Sequence, residues 1–425
     1  MNAAKCVLAC LKMKLPPSRL IPSRSVRHAC IFALGVMTNL WAARGYKLTV
    51  AAGDIAREQS VVTFKLPAEG KDWRLRDRSG VEVPLQVGAE REGAFVVRRM
   101  AAGEKDDYRL ESSASVDRPA LVQLMRTSGK IEARASGRMV FSFQEEKSVP
   151  PDAKIPDYYS RGGYIHPVLS PAGAIVTGDF RPDHYHHHGI WFAWVKTEYE
   201  GRHPDFWNVQ DKLGRLDFKG VERIWSGPVH GGIVARIHSI DTLAPTPKAV
   251  VDERWEIRVY PAGEGRRPYW MFDLVSTQKL VGNSPLKLPT YRYGGIGIRG
   301  NAQWDGEGDK TRFLTSSGES DRIKAHETRA AWCHMGGLVE GKFTGIATLG
   351  HPANFRAPEP LRVNPKVPFL NFAPSQAGDW EMVPGQTYVW RYRFIVHDGE
   401  PEKAWLDARW ADYAQPMQVT VAIAP

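Results

Sequence analysis

The chain has 425 residues, 43% of them hydrophobic and 24% charged, which is enough for two or three globular domains. Its net charge of +10 does not indicate a nucleic-acid partner. Six Lys and Arg residues and no acidic residue fall within residues 1–43, which leaves an excess of only four positive charges elsewhere. We therefore predict that the protein binds no nucleic acid.

Residues 1–43 have the composition of an export leader. Arg24 and Arg27 precede an apolar run over residues 29–37, and the small residues Ala42 and Ala43 follow it. The apolar run is short for a membrane span. We predict a signal peptide or N-terminal anchor, an exported protein in the periplasm or outside the cell, and no further integral membrane domain.

Alternation of apolar and polar residues dominates the rest of the chain. It occurs at residues 62–66, 254–259 and 390–396, between turns rich in Gly, Pro and Asp. This pattern predicts antiparallel sheets with one buried face. We predict an all-β fold, with a small N-terminal β-sandwich over residues 47–115 and a large antiparallel β-sandwich over residues 116–425. One short C-terminal helix is expected between Pro401 and Pro416.

A run of histidines stands out between Asp183 and Gly189. Four of the thirteen histidines lie within the five positions 184–188, directly before an apolar strand. In a regular strand His184, His186 and His188 share one face and His187 lies on the other. Three interpretations remain open: a metal-free catalytic or binding site, a Zn²⁺ or Fe²⁺ site that uses His184 and His186, and a hydrogen-bonded structural corner.

Several other segments supply polar and aromatic side chains suited to converge on this run. Each is ordinary turn chemistry alone, but together they are rich in His, Arg, Asn and Trp. The candidates are His166, Asp205, Trp207, Asn208, Arg292, Tyr293, His351, Asn354 and Arg356.

Two patterns near residue 300 partly match known binding motifs, but we do not predict a binding site from either. Residues 295–300 match a dinucleotide-binding glycine pattern but are followed by turn residues rather than a helix. The acidic residues 305–309 lack the remainder of a calcium loop, so Asp305 is expected in a solvated turn.

These motifs resemble the bacterial family that is labelled methane oxygenase PmoA-like, over about residues 47–415. The resemblance rests on residues 164–169, 183–192, 205–208, 293–295, 345–354 and 392–399. It implies a secreted β-rich protein of polysaccharide-degrading systems, whose large sandwich is similar to the galactose-mutarotase-like supersandwich. Tyr185, His188 and Gly350 depart from the family pattern, which implies that Tyr185 and His188 are not essential to the chemistry.

We predict a carbohydrate-active enzyme, a lyase or hydrolase that acts on a glycoside or uronate of small-molecule or oligosaccharide size. The predicted catalytic residues are His186, His187, His184, His166 and His351. The predicted substrate-binding residues are Arg292, Arg356, Asp205, Trp207, Asn208, Asn354, Asp183 and Tyr293. The sequence shows no evident pair of catalytic carboxylates, which disfavours an ordinary glycosidase.

Two alternatives remain. One is a non-catalytic sugar-binding protein that uses the same groove. The other is a metal-dependent oxygenase or hydrolase, with a divalent metal such as Zn or Fe as cofactor; the favoured interpretation requires no cofactor.

Overall fold

A computed structural model describes residues 45–68, 72–113, 118–261, 263, 267–306 and 310–424. The first ten strands are Tyr46–Ala51 (β1), Arg57–Lys65 (β2), Asp72–Arg76 (β3), Glu82–Val83 (β4), Gln86–Val87 (β5), Glu92–Met100 (β6), Lys105–Ser113 (β7), Val122–Thr127 (β8), Lys130–Ala135 (β9) and Arg138–Gln144 (β10). The next ten are Ile165–Val168 (β11), Asp179–Arg181 (β12), His184–His188 (β13), Ile190–Ala193 (β14), Glu198–Tyr199 (β15), Gly214–Trp225 (β16), Gly231–Asp241 (β17), Lys248–Val259 (β18), Tyr269–Leu280 (β19) and Leu286–Leu288 (β20).

The remaining strands are Gly295–Arg299 (β21), Arg312–Thr315 (β22), Trp332–Val339 (β23), Lys342–Gly350 (β24), Leu361–Val363 (β25), Phe369–Phe372 (β26), Trp380–Met382 (β27), Tyr388–Asp398 (β28) and Gln418–Ile423 (β29). The α-helices are Arg322–Ala325 (α1) and Lys403–Ala414 (α2). Short 3-10 helices lie at Ala89–Arg91, Asp157–Tyr159, Val209–Asp211, Ala302–Trp304 and Pro374–Ala377. The predicted leader, residues 1–43, lies outside the described residues.

A small sandwich is formed by a five-stranded sheet in the order β29-β1-β7-β3-β4 and a three-stranded sheet, β2-β6-β5. Apolar side chains such as Leu48, Phe95 and Leu110 fill the space between the two sheets. Strand β29 pairs with β1 along its whole length. The small sandwich therefore includes the last strand of the chain, which the predicted division had placed with residues 116–425.

The large sandwich packs two antiparallel eight-stranded sheets against each other. One has the order β25-β26-β21-β14-β11-β10-β9-β8 and the other β16-β17-β18-β19-β28-β24-β23-β22. Aromatic pairs join them, including Phe192 with Trp390 and Phe141 with Phe272. The prediction of an all-β fold with a small and a large sandwich is confirmed.

The predicted C-terminal helix is confirmed as α2, with Leu406 fully buried against the sheet that contains β28. The expectation that β28 has only one buried face is wrong, because residues 392–397 are all buried. Helix α2 covers the outer face of this strand, where Arg393 is paired with Asp273 at 2.7 Å. Among the described residues, no helix is both long and apolar enough to cross a membrane.

Gly189 joins the histidine strand β13 to β14, and its backbone has a left-handed φ of 47°. A Cβ atom at this position would collide with the carbonyl oxygen of Ile165 and would lie 2.8 Å from the Cβ of His166. Only glycine allows this approach, so the histidine strand passes directly over β11.

We expect Gly189→Ala to reduce the free energy of unfolding by about 3 kcal/mol or more, because the added methyl group meets backbone of a paired strand. Gly173→Ala is the matched control, since Gly173 has φ of 91° and a Cβ atom added there would meet nothing within 4 Å. Urea denaturation measures both variants. Equal losses would show that backbone strain alone, and not the collision, limits position 189.

Candidate functional site

The histidine strand contains a bulge. Asp179 is paired with His188 and Arg181 with His184, so the three residues 185–187 stand opposite the single residue Phe180. Extra residues in one strand disrupt its alternation. The prediction that His184, His186 and His188 share a face is therefore wrong, because it assumed a regular strand.

The rings of His184, His186 and His187 converge instead. His184 stacks on His187 with centroids 4.4 Å apart, and His186 lies 5.6 Å from His184 and 4.7 Å from His187. The other face of His187 lies against Phe369 at 4.8 Å. Nδ1 of His187 is buried with no hydrogen-bond partner among the described residues. Burial and the neighbouring imidazoles hold the pKa of His187 well below its ordinary value, so the ring is neutral.

Asp183 orients His184 as part of an ion network around the buried Arg299. One carboxylate oxygen of Asp183 lies 2.6 Å from Nδ1 of His184, and both accept hydrogen bonds from Arg299 at 2.8 and 3.0 Å. The side chain of Arg299 is fully buried and also donates to Asp305 at 2.6 Å. Against the effect of burial, the bonds from His184 and Arg299 hold the pKa of Asp183 well below its usual range. Asp305 is therefore part of this network, and its predicted solvated role is wrong.

His186 is the more exposed of the two histidines of the run, His186 and His187, that have no hydrogen-bond partner among the described residues. Within the described part of the chain, no protein group hydrogen-bonds to either of its ring nitrogens. Burial, followed by the influence of His184 and His188, lowers the pKa of His186 to about 3. His186 is thus a neutral imidazole whose nitrogens are available to a ligand.

His188 is anchored inside the protein and is fixed by two contacts. Its Nδ1 lies 2.6 Å from Asp179 and its Nε2 lies 2.9 Å from the carbonyl oxygen of Tyr159. Its ring packs between Tyr164 and Phe180, with centroids 4.7 and 4.8 Å away. The resemblance to the PmoA-like family implied that His188 is not essential to the chemistry. In the structure His188 connects β13 to the segment that carries Tyr159.

The three converging rings face a cavity of about 520 Å³, which we call the histidine cavity. Its lining includes the guanidinium-bearing residues Arg292 and Arg362. Among the described residues neither guanidinium is paired with a carboxylate; Arg362 donates instead to His326 at 2.8 Å. The cavity therefore carries two cations beside the neutral imidazoles of His186 and His187.

Of the predicted residues at 205–208, Trp207 and Asn208 line this cavity and Asp205 does not. Asp205 accepts hydrogen bonds from the backbone amides of Trp207 and Asn208 at 2.8 and 2.9 Å, so it fixes the turn rather than binding a ligand. Burial raises the pKa of Asp205. Asn208 is linked to the hydroxyl of Tyr293 at 3.1 Å, and Trp207 packs on Trp191 at 4.8 Å.

Gly297 makes room for these tryptophans. It lies opposite Trp191 in the neighbouring strand, and a Cβ atom there would come within 2.8 Å of Trp207. Trp207, Asn208, Arg292 and Tyr293 thus line the histidine cavity, as the sequence predicted.

Besides Asp205, four predicted residues do not line this cavity. His166 is bonded to Thr177 at 2.9 Å. His351 accepts from the amide of Ala353 in its own turn at 3.1 Å and lies against Tyr413. Asn354 bonds Glu359 and the backbone of residue 391, and Arg356 donates to three backbone carbonyls. Their predicted convergence is wrong, because each bonds other partners outside the cavity.

Five residues of the site were missed by the sequence analysis: Arg299, Asp305, Arg362, Tyr159 and Phe369. Arg299 and Asp305 lie in the two patterns that were set aside, as a glycine motif and an acidic turn. The one available signal was Arg299 itself, a charged residue among the apolar and glycine residues of a buried strand.

Metal binding by this cluster remains an untested alternative. Among the described residues, no group of three or more His, Cys, Asp or Glu side chains is arranged to hold an ion. Nδ1 of His184 already contacts Asp183, which leaves only its Nε2 for a ligand. Elemental analysis of protein purified without chelator distinguishes this alternative.

We expect Arg299→Met to reduce the free energy of unfolding by about 3–5 kcal/mol, because it leaves Asp183 and Asp305 without their shared cation. Arg312→Met is the control, since Arg312 pairs with Glu400 where both side chains are more than half exposed. Arg312→Met is expected to reduce the free energy of unfolding by less than about 1 kcal/mol. Urea denaturation gives both values, and a loss in Arg299→Met no larger than the control would contradict the role of this network.

Comparison with known proteins shows a family and a distant structural likeness. No curated protein sequence matches the chain. An alpha-mannosidase from Enterococcus faecalis V583 is similar in structure with a TM-score of 0.40 and 11% identity, and the match covers 90% of this chain and 46% of that chain. The chain thus spans less than half the length of that protein. The resemblance to the PmoA-like family stays a prediction. Residues 130–411 match the model of a family described as "Family of unknown function (DUF6807)", and the protein belongs to that family.

Proposed function

We propose that the protein is a carbohydrate-active enzyme that binds an acidic sugar in the histidine cavity and removes a proton from it with His186. The observation that carries this proposal is the neutral imidazole of His186, which lies in a cavity with two cations, Arg292 and Arg362. Among the described residues, this imidazole has no hydrogen-bond partner and neither cation has a carboxylate partner. A guanidinium binds a carboxylate through two parallel hydrogen bonds. The aromatic side chains at the cavity suit the apolar face of a sugar ring.

The single carboxylate among the described lining residues of the cavity favours elimination over hydrolysis. Asp183 is the one carboxylate among its described lining residues, and both oxygens of Asp183 accept bonds from Arg299. A glycosidase of the usual kind needs two carboxylates on opposite sides of the scissile bond. A uronate lyase needs a base and a partner for the substrate carboxylate, and this cavity supplies both.

In the proposed reaction the arginines hold the carboxylate at C6 of a uronate, which makes the proton on C5 more acidic. His186 takes that proton, the electron pair of the C5–H bond forms the C4=C5 double bond, and the C4–O bond breaks. The leaving oxygen takes a proton from Tyr159, whose pKa is raised to about 12 by burial and by Tyr158, so its hydroxyl is protonated at neutral pH. The products are an unsaturated uronate and a free sugar hydroxyl.

The substrate is thus proposed to be a uronate-bearing glycan, which an exported protein meets outside the cytoplasm. The same cavity suits a protein that binds such a sugar without turnover. Variants at His186 separate the two functions, because binding depends on the arginines and turnover depends on the imidazole.

We expect His186→Gln to reduce turnover of a uronate polysaccharide at least about a hundredfold with little change in binding, since a positioned base contributes that much. His203→Gln is the control, because His203 bonds a backbone carbonyl away from the cavity. Turnover is followed by the ultraviolet absorbance of the unsaturated product on polygalacturonate, alginate and glucuronan. If the wild-type protein binds these polysaccharides without turnover, the sugar-binding alternative is correct. If it shows neither binding nor turnover, the proposal is rejected.

The pH profile gives a second test. A base must be deprotonated to act, so activity is lost as the pH falls through its pKa. Because the pKa of free His186 is about 3, kcat/KM is expected to stay level from pH 7 down to about pH 5. An acid limb centred near 6.5, the ordinary value for an imidazole, would contradict His186 as the base.

A further inference from the structure

A second cavity, of about 680 Å³, adjoins the histidine cavity. Three residues line both: Tyr159, His186 and Trp207. The side chain with the free imidazole therefore stands at the junction between two compartments. Each compartment has a volume within the range of small-molecule sites.

The charges of the second cavity are not balanced. Its three acidic residues are already paired, Asp157 with Lys147, Asp217 with Arg215 at 2.7 Å, and Glu145 with Arg126 at 2.9 Å. Three cations of its lining have no carboxylate partner among the described residues. They are Arg161, Lys212 and Lys219.

Arg161 is the most constrained of these cations. Its Nη1 donates to the backbone carbonyls of Gly162 and Gly163 at 3.2 and 3.4 Å, and its Nη2 is buried with no partner among the described residues. Burial lowers the pKa of Arg161 to about 10, so it remains charged at neutral pH. A buried cation without a paired anion is costly, and a ligand anion would reduce that cost.

Aromatic rings complete the second cavity. The exposed ring of Tyr158 lies 4.5 Å from that of Tyr159, and the half-buried Phe218 lies on the opposite strand β16. Rings beside unpaired cations fit the apolar face and the acidic group of a sugar.

From this geometry we infer that the second cavity is a subsite for the neighbouring sugar of the same chain, and that this sugar also carries an anionic group, a carboxylate or a sulfate. The inference rests on the proposed function and extends it. The substrate is then an acidic oligosaccharide of at least two sugars that spans the junction at His186, and the bond that breaks joins the two compartments.

The test measures sugar binding by calorimetry in a His186→Gln background, which removes turnover. The probes are galacturonate, digalacturonate, and a sulfated chondroitin disaccharide. Lys219→Glu is the main variant, because Lys219 is exposed and has no ion pair that stabilises the fold among the described residues. Lys279→Glu, an equally exposed lysine of β19, is the matched control.

We expect Lys219→Glu to weaken binding of the preferred disaccharide about tenfold or more, and to leave galacturonate and the control variant unchanged. Arg161→Met is expected to act in the same direction where it folds. The disaccharide that binds more tightly identifies the anionic group in the second cavity as a carboxylate or a sulfate.

Two results overturn the inference in distinguishable ways. If galacturonate binds and loses affinity in Arg292→Gln, but Lys219→Glu has equal effects on monosaccharide and disaccharides, the second subsite is wrong and the proposed function stands. If none of the three probes binds to the parent protein, the proposed function fails and the subsite fails with it.

Discussion

A guanidinium that is fully removed from solvent must be neutralised, and Arg299 obtains this from Asp183 and Asp305. These carboxylates belong to separate segments, one before the histidine strand and one after the 3-10 helix that follows β21. A single buried cation thus joins three pieces of chain that have no continuous pairing with one another. Because the same carboxylate of Asp183 holds His184, the position of the converging imidazoles depends on this cation.

The electrostatic field around the imidazoles is predominantly positive. Arg299 and the other histidines lower the pKa of His187, after burial, and Arg161 contributes in the same direction for His186. A base with a pKa near 3 is weak on its own. An anion bound between Arg292 and Arg362 would favour the protonated imidazole and raise that pKa. Binding of an acidic substrate would therefore strengthen the base that acts on it, whereas a neutral sugar would not.

The all-β fold, the terminal helix and the cavity residues Trp207, Arg292 and Tyr293 could be predicted, because alternation and clusters of aromatic and charged residues are local signals. The convergence of His351 and Arg356 could not be judged, because a polar turn that binds a ligand and one whose side chains bond the protein backbone have the same composition. The bulge opposite Phe180 was also hidden, since it depends on the register in which β12 and β13 pair. Arg299 was overlooked because its partners lie 116 and 6 residues away.

The bulge also explains why four histidines stand so close together. Two extra residues in β13 bring His187 to the same side as His184 and His186, which regular alternation forbids. The strand must then be held at both ends, by the bond of His184 to Asp183 and the bond of His188 to Asp179. His187 fills the space between His184 and Phe369, and the ring of His186 lies against it at 4.7 Å. Three of the four histidines thus position the fourth, and His186 is the more exposed of the two rings that have no hydrogen-bond partner among the described residues.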